Sequence, residues 1–163
     1  MDSLVFFGSL RSKKLLKIII NSNLKHLKLT SVKIFKAKLF RVRNENFPYL
    51  EKTNSQNDIV NCTYVENLKK EDFKKILFYE SIEYEIKNIR ICKKEKNINS
   101  HFFDLIKKNK TKENWTYEKW KNKYEKLSCV AAKSWMLLFN KYKNNPGEAE
   151  IYWQEILNKA TIQ

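Results

Sequence analysis

Residues 4–11 read L-V-F-F-G-S-L-R, an apolar run that stops at Gly8 and gives way to a helix-like pattern. This order is typical of a strand, a turn and the start of a helix. Glycine is scarce, since an average usage of about 7% would put roughly 11 glycines in 163 residues, yet only Gly8 and Gly147 are present. We therefore expect Gly8 to be needed for a positive φ or for a close backbone approach. The free amides of the next three residues would favour an anion; a plain strand-to-helix turn is the alternative.

Length and composition predict one globular unit. The chain has 163 residues, of which 42% are hydrophobic and 13% aromatic, enough to bury about two-thirds of its unfolded surface. Its three cysteines, Cys62, Cys92 and Cys129, are odd in number and widely spaced, which argues against a disulfide framework and against a zinc site. We expect no metal or other cofactor and a cytoplasmic location. No stretch reaches the roughly 18 apolar residues of a membrane span.

The net charge of +15 has two interpretations. Eleven basic residues and no acidic one lie between Arg11 and Arg43, namely Arg11, Lys13, Lys14, Lys17, Lys25, Lys28, Lys33, Lys36, Lys38, Arg41 and Arg43. They would form a face for nucleic acid or another anionic partner, or they reflect the lysine-rich composition of an AT-rich genome. Only four of the 33 basic residues are arginine, the residue that nucleic-acid readers use most. We favour the compositional interpretation and keep nucleic acid as the weaker alternative.

Hydrophobic periodicity predicts an α+β body up to about residue 110. The pattern gives strands at 4–7, 32–42, 59–65, 84–92 and 98–106, an extended piece at 47–50, and helices at 12–21 and 69–78. Ser12 stands at the N-cap position of the first helix. Strands and helices in this order are typical of α+β proteins rather than of repeated β-α-β units.

The tail has a helical period throughout. Apolar residues recur every three or four positions from 116 to 143: Trp120, Tyr124, Leu127, Ala131, Trp135, Leu138 and Tyr142. Asn145, Pro146 and Glu148 then provide an N-cap, a first-turn proline and an acidic third position for a last helix to about Ala160. We expect an α+β domain at 1–110 and a helical hairpin at 111–163 packed on it.

With these elements placed, the first 90 or so residues resemble the γ-glutamylcyclotransferase-like family. Its members open with a strand that ends in Tyr-Gly-Ser/Thr-Leu, and Phe7-Gly8-Ser9-Leu10 stands at that place. Residues 47–50, Phe-Pro-Tyr-Leu, are similar to the family's aromatic-proline segment, and residues 68–84 to its helix followed by Phe-Glu-Gly-x-x-Tyr. Glu80 falls on the catalytic glutamate of the family. Residues 115–140 are similar to the tails of some small bacterial members.

The resemblance implies a small mixed β-barrel or sheet with flanking helices. It also implies an activity, the cyclisation of a γ-glutamyl amine or peptide to 5-oxoproline with release of the amine. Glu80 would be the general acid and base, with a pKa raised by partial burial. The residues implied to contact the substrate are Phe7, Gly8, Ser9, Leu10, Arg11, Pro48 and Tyr84.

The sequence departs from the family at three positions. Phe7 replaces the usual tyrosine, Ser81 replaces a glycine, and Glu85 stands where many members carry a basic residue. These departures bear on the substrate and on activity. Two alternatives therefore stay open: a non-catalytic member that binds a small metabolite, or one that binds an anionic partner through the basic residues of 11–43. A monomer and a homodimer are both compatible with the sequence.

Overall fold

Two antiparallel sheets form the body of the protein in the computed structural model, which describes residues 3–106 and 110–162. The strands are β1 Ser3–Phe6, β2 Lys28–Phe35, β3 Ala37–Val42, β4 Pro48–Lys52, β5 Ile59–Glu66, β6 Tyr84–Lys93, β7 Lys96–Leu105 and β8 Lys110–Asn114. The larger sheet has the order β1-β5-β2-β6-β7, and the smaller has the order β4-β3-β8. With the helices described below, this arrangement confirms the predicted α+β class.

The larger sheet curls until its two edge strands, β1 and β7, approach each other. The rings of Phe7 and Phe102 meet there with centroids 5.8 Å apart. The two strands are not hydrogen-bonded neighbours, so the sheet does not close into a barrel within residues 3–106 and 110–162. The sequence predicted either a mixed barrel or a sheet, and the structure has two open antiparallel sheets. The curl brings the end of β1 beside β7, where the candidate site lies.

The long strand predicted at 32–42 is wrong, because the chain breaks at Lys36. Lys36 has a φ of 54°, a left-handed conformation that interrupts a strand. As a result β2 ends in the larger sheet and β3 begins in the smaller one. Buried residues alternate with exposed ones on both sides of the break, so the alternation alone did not reveal it.

The helices share a hydrophobic core with the strands. They are α1 Lys13–Ile20, α2 Lys70–Glu80, α3 Tyr117–Met136, α4 Phe139–Tyr142 and α5 Trp153–Ile162, with 3-10 turns at Ser9–Arg11, Ser81–Glu83 and Pro146–Tyr152. The predicted cap of α1 is confirmed, since Ser12 Oγ accepts a hydrogen bond from the Leu15 N–H at 3.2 Å. α3 packs on α1, and the buried Ser12 hydroxyl donates to Glu125 Oε1 at 2.7 Å.

The tail folds back on itself, but the helical run expected at 116–143 is divided into α3 and α4, and the last helix begins later than expected. α5 packs on α3, and Trp135 stacks on Phe78 of α2 with ring centroids 5.3 Å apart. The segment Pro146–Tyr152 is a 3-10 helix rather than the first two turns of an α-helix. The Asn145 side chain donates to Glu148 Oε1 at 2.6 Å and makes no N-cap bond. The boundary at residue 110 stays a prediction.

Two further findings concern membranes and thiols. In the described ranges, no helix is both long and apolar enough to cross a membrane. Cys62, Cys92 and Cys129 all carry free thiols.

Candidate active site

Gly8 links β1 to the 3-10 turn Ser9–Arg11 and lies against a proline ring. Its φ of −103° and ψ of −141° need no left-handed conformation. A Cβ added at Gly8 would lie 3.1 Å from Cγ and 3.2 Å from Cδ of Pro48, closer than carbon atoms normally pack. Of the two reasons for which a glycine was expected, close backbone approach is therefore the one that applies.

Glu80 is the last residue of α2, the helix that ends beside this turn. The buried Ile76 and Phe78 hold the helix against the core. At the start of the helix, Asp72 accepts a hydrogen bond from the Lys69 N–H at 3.3 Å and one from His26 at 2.6 Å. Ser81 ends α2 with a φ of 55°. This fixed helix sets where the Glu80 carboxylate lies.

Glu80 and the Gly8 turn face one cleft with two halves. The first half, about 40 Å³, is lined by Val5, Phe6, Phe7, Gly8, Ser9, Leu10, Phe47, Pro48, Glu80, Tyr84 and Phe103. The second half, about 90 Å³, is lined by Ser9, Phe47, Tyr79, Glu80, Ser81, Glu83, Tyr84, Trp135, Glu150 and Trp153. Glu80 borders both halves and therefore stands at the centre of the cleft.

Carboxylates and burial dominate the electrostatics of the cleft. Burial raises the pKa of Glu80 from its ordinary 4.5 to about 8, and the charge of Glu83 adds to the increase. Burial and then Glu150 raise the pKa of Glu83, and burial and then Glu83 raise the pKa of Glu45. At pH 7 about nine in ten Glu80 carboxyls are then protonated. Such a group exchanges protons readily near neutral pH, as a general acid or base must.

Seven of the eight predicted site residues come together in this cleft. Phe7, Gly8, Ser9, Leu10, Pro48, Glu80 and Tyr84 line it. Arg11 does not, because its guanidinium carbon lies 4.2 Å above the centre of the Tyr117 ring and the side chain lines a different groove. The Arg11 contact thus falls on another face of the same turn.

The sequence prediction missed the contribution of the tail to the cleft. Trp135, Glu150 and Trp153 line its second half, and Glu150 accepts a short hydrogen bond from the Ser81 hydroxyl. No motif marks these residues, and they are more than 50 positions away from Glu80 in the chain. Glu83 could have been predicted as a neighbour of the site, because it lies three residues after Glu80 in the sequence.

Two other kinds of site, a groove between helices and a metal site, have less support than the cleft. A larger groove, about 650 Å³, lies between α1, α2 and α3 and contains none of the predicted residues. Among residues 3–106 and 110–162, no group of three His, Cys, Asp or Glu side chains is placed to hold a metal ion. We select the cleft because a glutamate with a perturbed pKa and a glycine turn meet in it.

The basic residues of 11–43 are partly neutralised by carboxylates from elsewhere in the chain. Within residues 3–106 and 110–162, four of the eleven form ion pairs: Lys14 with Glu125 at 3.5 Å, Lys28 with Glu66 at 3.3 Å, Lys38 with Asp58 at 3.2 Å and Arg41 with Glu113 at 3.3 Å. They also belong to different elements, α1, β2 and β3. This arrangement offers less free positive charge than the sequence count indicates.

Comparison with solved structures identifies the fold. Two proteins from Arabidopsis thaliana, known from solution structures, match with TM-scores of 0.57 and 0.58 at 13% and 14% identity, over 87% and 88% of this chain and 89% and 86% of theirs. A protein described as a gamma-glutamyl cyclotransferase matches with a TM-score of 0.52 at 10% identity, over 90% of this chain and 86% of that one. No family model and no curated protein matches the sequence. The chain therefore has a γ-glutamylcyclotransferase-like fold.

Proposed function

We propose that this protein is a γ-glutamylcyclotransferase-like enzyme that converts a γ-glutamyl amine or peptide to 5-oxoproline and releases the amine. The observation that carries the proposal is the meeting of Glu80, with a pKa raised to about 8, and the Gly8 turn in one cleft. The likeness in fold to a gamma-glutamyl cyclotransferase supports it. The three free thiols support the cytoplasm as the location.

The reaction needs two protons to be moved from the attacking nitrogen to the leaving nitrogen. The α-amino nitrogen of the substrate attacks its own γ-carbonyl carbon, which forms the ring C–N bond, and the bond to the leaving amine then breaks. The α-amino group arrives as an ammonium and is not nucleophilic, so ionised Glu80 first accepts its proton. Protonated Glu80 then donates that proton to the leaving nitrogen. As the bond to the leaving amine breaks, the ring nitrogen gives up its second proton through Glu80, and the amine departs as an ammonium. Glu80 ends as it began, and no water or other reagent is consumed.

The raised pKa of Glu80 suits both transfers. An α-amino group has a pKa of about 7.7–8.0, and Glu80 has one of about 8, so the first transfer is not strongly uphill, and a carboxyl with a pKa near neutrality can also return the proton. A bound ammonium beside Glu80 also favours the ionised carboxylate. Substrate binding thereby increases the fraction of Glu80 that is ionised, which is the form that the first proton transfer requires.

The Gly8 turn supplies donors for the negative charge. Ser9 and Leu10 open a 3-10 turn, so their N–H groups have no acceptor within it. We assign these N–H groups to the α-carboxylate of the substrate or to the oxyanion that develops on the γ-carbonyl oxygen. Phe7, Pro48 and Tyr84 would enclose the glutamyl carbon chain. Because nucleophile and carbonyl belong to one molecule, holding the reactive conformer is a large part of catalysis.

The test is 5-oxoproline formation from a panel of γ-glutamyl amines and peptides. Wild type should form product and Glu80→Gln should not, because glutamine accepts no proton. Glu71→Gln is the matched control, since Glu71 is an exposed carboxylate of the same helix, and it should keep full activity. Product from Glu80→Gln at the wild-type rate would remove Glu80 from the chemistry. No product from any panel member with wild type would refute the activity for those substrates.

A further inference from the structure

A second groove lies on the other face of the Ser9–Arg11 turn, away from Glu80. Its volume is about 410 Å³, which falls in the range of about 300–1,000 Å³ of small-molecule sites. The groove is lined by Arg11, Ala37, Lys38, Leu39, Asn57, Asp58, Ile59, Val60, Asn61, Asn114, Trp115, Thr116, Tyr117 and Glu118. It shares no lining residue with the cleft around Glu80.

Arg11 enters this groove with its charge uncompensated. Its Nε atom is buried and has no hydrogen-bond acceptor. In the part of the chain that the structure describes, no carboxylate lies within ion-pair distance of its guanidinium. The guanidinium is held flat over the Tyr117 ring. The guanidinium thus has an aromatic ring beside it but no anion, and an anion in the groove would pair with its charge.

The groove also contains the start of the longest helix. Thr116 caps α3, and its hydroxyl accepts from the Lys119 N–H at 3.3 Å. The N–H groups of Tyr117 and Glu118 come before that bond and have no acceptor within the helix. α3 has 20 residues, and the positive end of its dipole points into the same groove as Arg11. Two independent features, a guanidinium without a carboxylate partner in the described ranges and the start of α3, thus favour negative charge at one place.

We propose that this groove binds the phosphate group of a small metabolite. A tetrahedral dianion accepts from the Arg11 guanidinium on one side and from the N–H groups of Tyr117 and Glu118 on the other. The carboxamides of Asn57, Asn61 and Asn114 provide donors and acceptors for hydroxyl or amide groups of the metabolite. Asp58 is no obstacle, because Lys38 Nζ neutralises it at 3.2 Å. The exposed carboxylate of Glu118 also borders the groove, and its charge opposes the ligand.

Calorimetric titration of the full chain with inorganic phosphate, at ionic strength held constant with sodium chloride, tests the proposal. Arg11→Gln should weaken phosphate binding at least about tenfold, because a hydrogen bond to a charged group is lost. Glu118→Gln should strengthen binding, because repulsion is removed. Arg90→Gln removes one exposed positive charge from β6 and should leave the affinity unchanged. Acetate should bind more weakly than phosphate.

The outcomes separate the alternatives. Absence of saturable phosphate binding to wild type overturns the proposal, as does equal affinity for wild type and Arg11→Gln. Acetate that binds as tightly as phosphate overturns the assignment of a phosphate group. An equal loss in Arg90→Gln assigns the binding to net charge and overturns the site. If Arg11→Gln does not fold, Glu118→Gln decides, since a failure to strengthen binding places the anion elsewhere.

Discussion

The desolvation of the half-buried Glu80 carboxyl can be measured without a substrate, through the dependence of stability on pH. In the folded protein the pKa of Glu80 is about 8, against an ordinary 4.5. Between these two values the folded state holds a proton that the unfolded state has lost. The free energy of unfolding must therefore fall as pH rises from 4.5 to about 8, and it levels off outside this window. Glu80→Gln has no such proton to lose.

The size of the effect follows from the two pKa values. The difference between 4.5 and about 8, at about 1.4 kcal/mol for each pH unit, amounts to about 5 kcal/mol. Urea unfolding of wild type and Glu80→Gln should be compared at several pH values from 4 to 9. The variant should gain stability relative to wild type as pH rises, by up to about 5 kcal/mol. Since other titrating groups are present in both proteins, their effects largely cancel in the difference.

Glu71→Gln serves again as the control, because it removes an exposed carboxylate from the same helix. Its difference from wild type should change by less than about 1 kcal/mol across the window. A Glu80→Gln difference that stays equally flat would refute the burial of this carboxyl. A difference of opposite sign would mean that a partner stabilises the ionised form. Either result would remove the main support for Glu80 as a proton carrier.

Three further predictions follow from the same structure. The value of kcat/KM should rise about tenfold per pH unit well below pH 8, peak near pH 8 and fall above it, because the reaction needs ionised Glu80 together with an ammonium substrate; Glu83→Gln should move the rising side to lower pH, because the charge of Glu83 helps to raise the pKa of Glu80, and an unmoved profile would contradict that coupling. Gly8→Ala should lose about 1–3 kcal/mol of stability and most turnover, since its Cβ would lie 3.1 Å from a proline carbon; Gly147→Ala, whose Cβ meets no atom closer than 3.6 Å, is the control. Lys36→Gly should raise the free energy of unfolding by up to about 1 kcal/mol, because glycine adopts the φ of 54° without strain; a loss of stability in urea unfolding would contradict this.

The elements that the sequence predicted well are those fixed by local interactions. α1 depends on a serine cap and a helical repeat of buried residues within ten positions, all of which can be read from the sequence. The break at Lys36 depends on which sheet each neighbouring segment joins, and that choice is made by distant strands. β8 was missed for the same reason. Its sequence, Lys-Thr-Lys-Glu-Asn, has no apolar alternation, and it is a strand because β3 offers it an edge.

The candidate site divides in a similar way. The Gly8 turn was predicted from the sequence pattern itself, and Glu80 was found through the family resemblance, which covers the first 90 or so residues. Arg11 was placed with them because it follows directly in sequence. In a 3-10 turn, however, successive side chains point about 120° apart, so Leu10 enters the core while Arg11 reaches the second groove. The acids and tryptophans of the tail belong to no motif that the resemblance covers.

The position of β5 between β1 and β2 constrains how the nascent protein matures during translation. The two earlier strands leave the ribosome first, yet neither completes its ladder until residues 59–66 have emerged. The apolar face of α1 is buried later still, because its leucines and isoleucines share a core with Trp120 and Ala132 of α3. A ribosome-bound chain that ends near residue 110 therefore exposes an apolar helix face, which is a binding surface for chaperones. Protection from protease on the ribosome should accordingly arrive in two steps, first with β5 and then with α3.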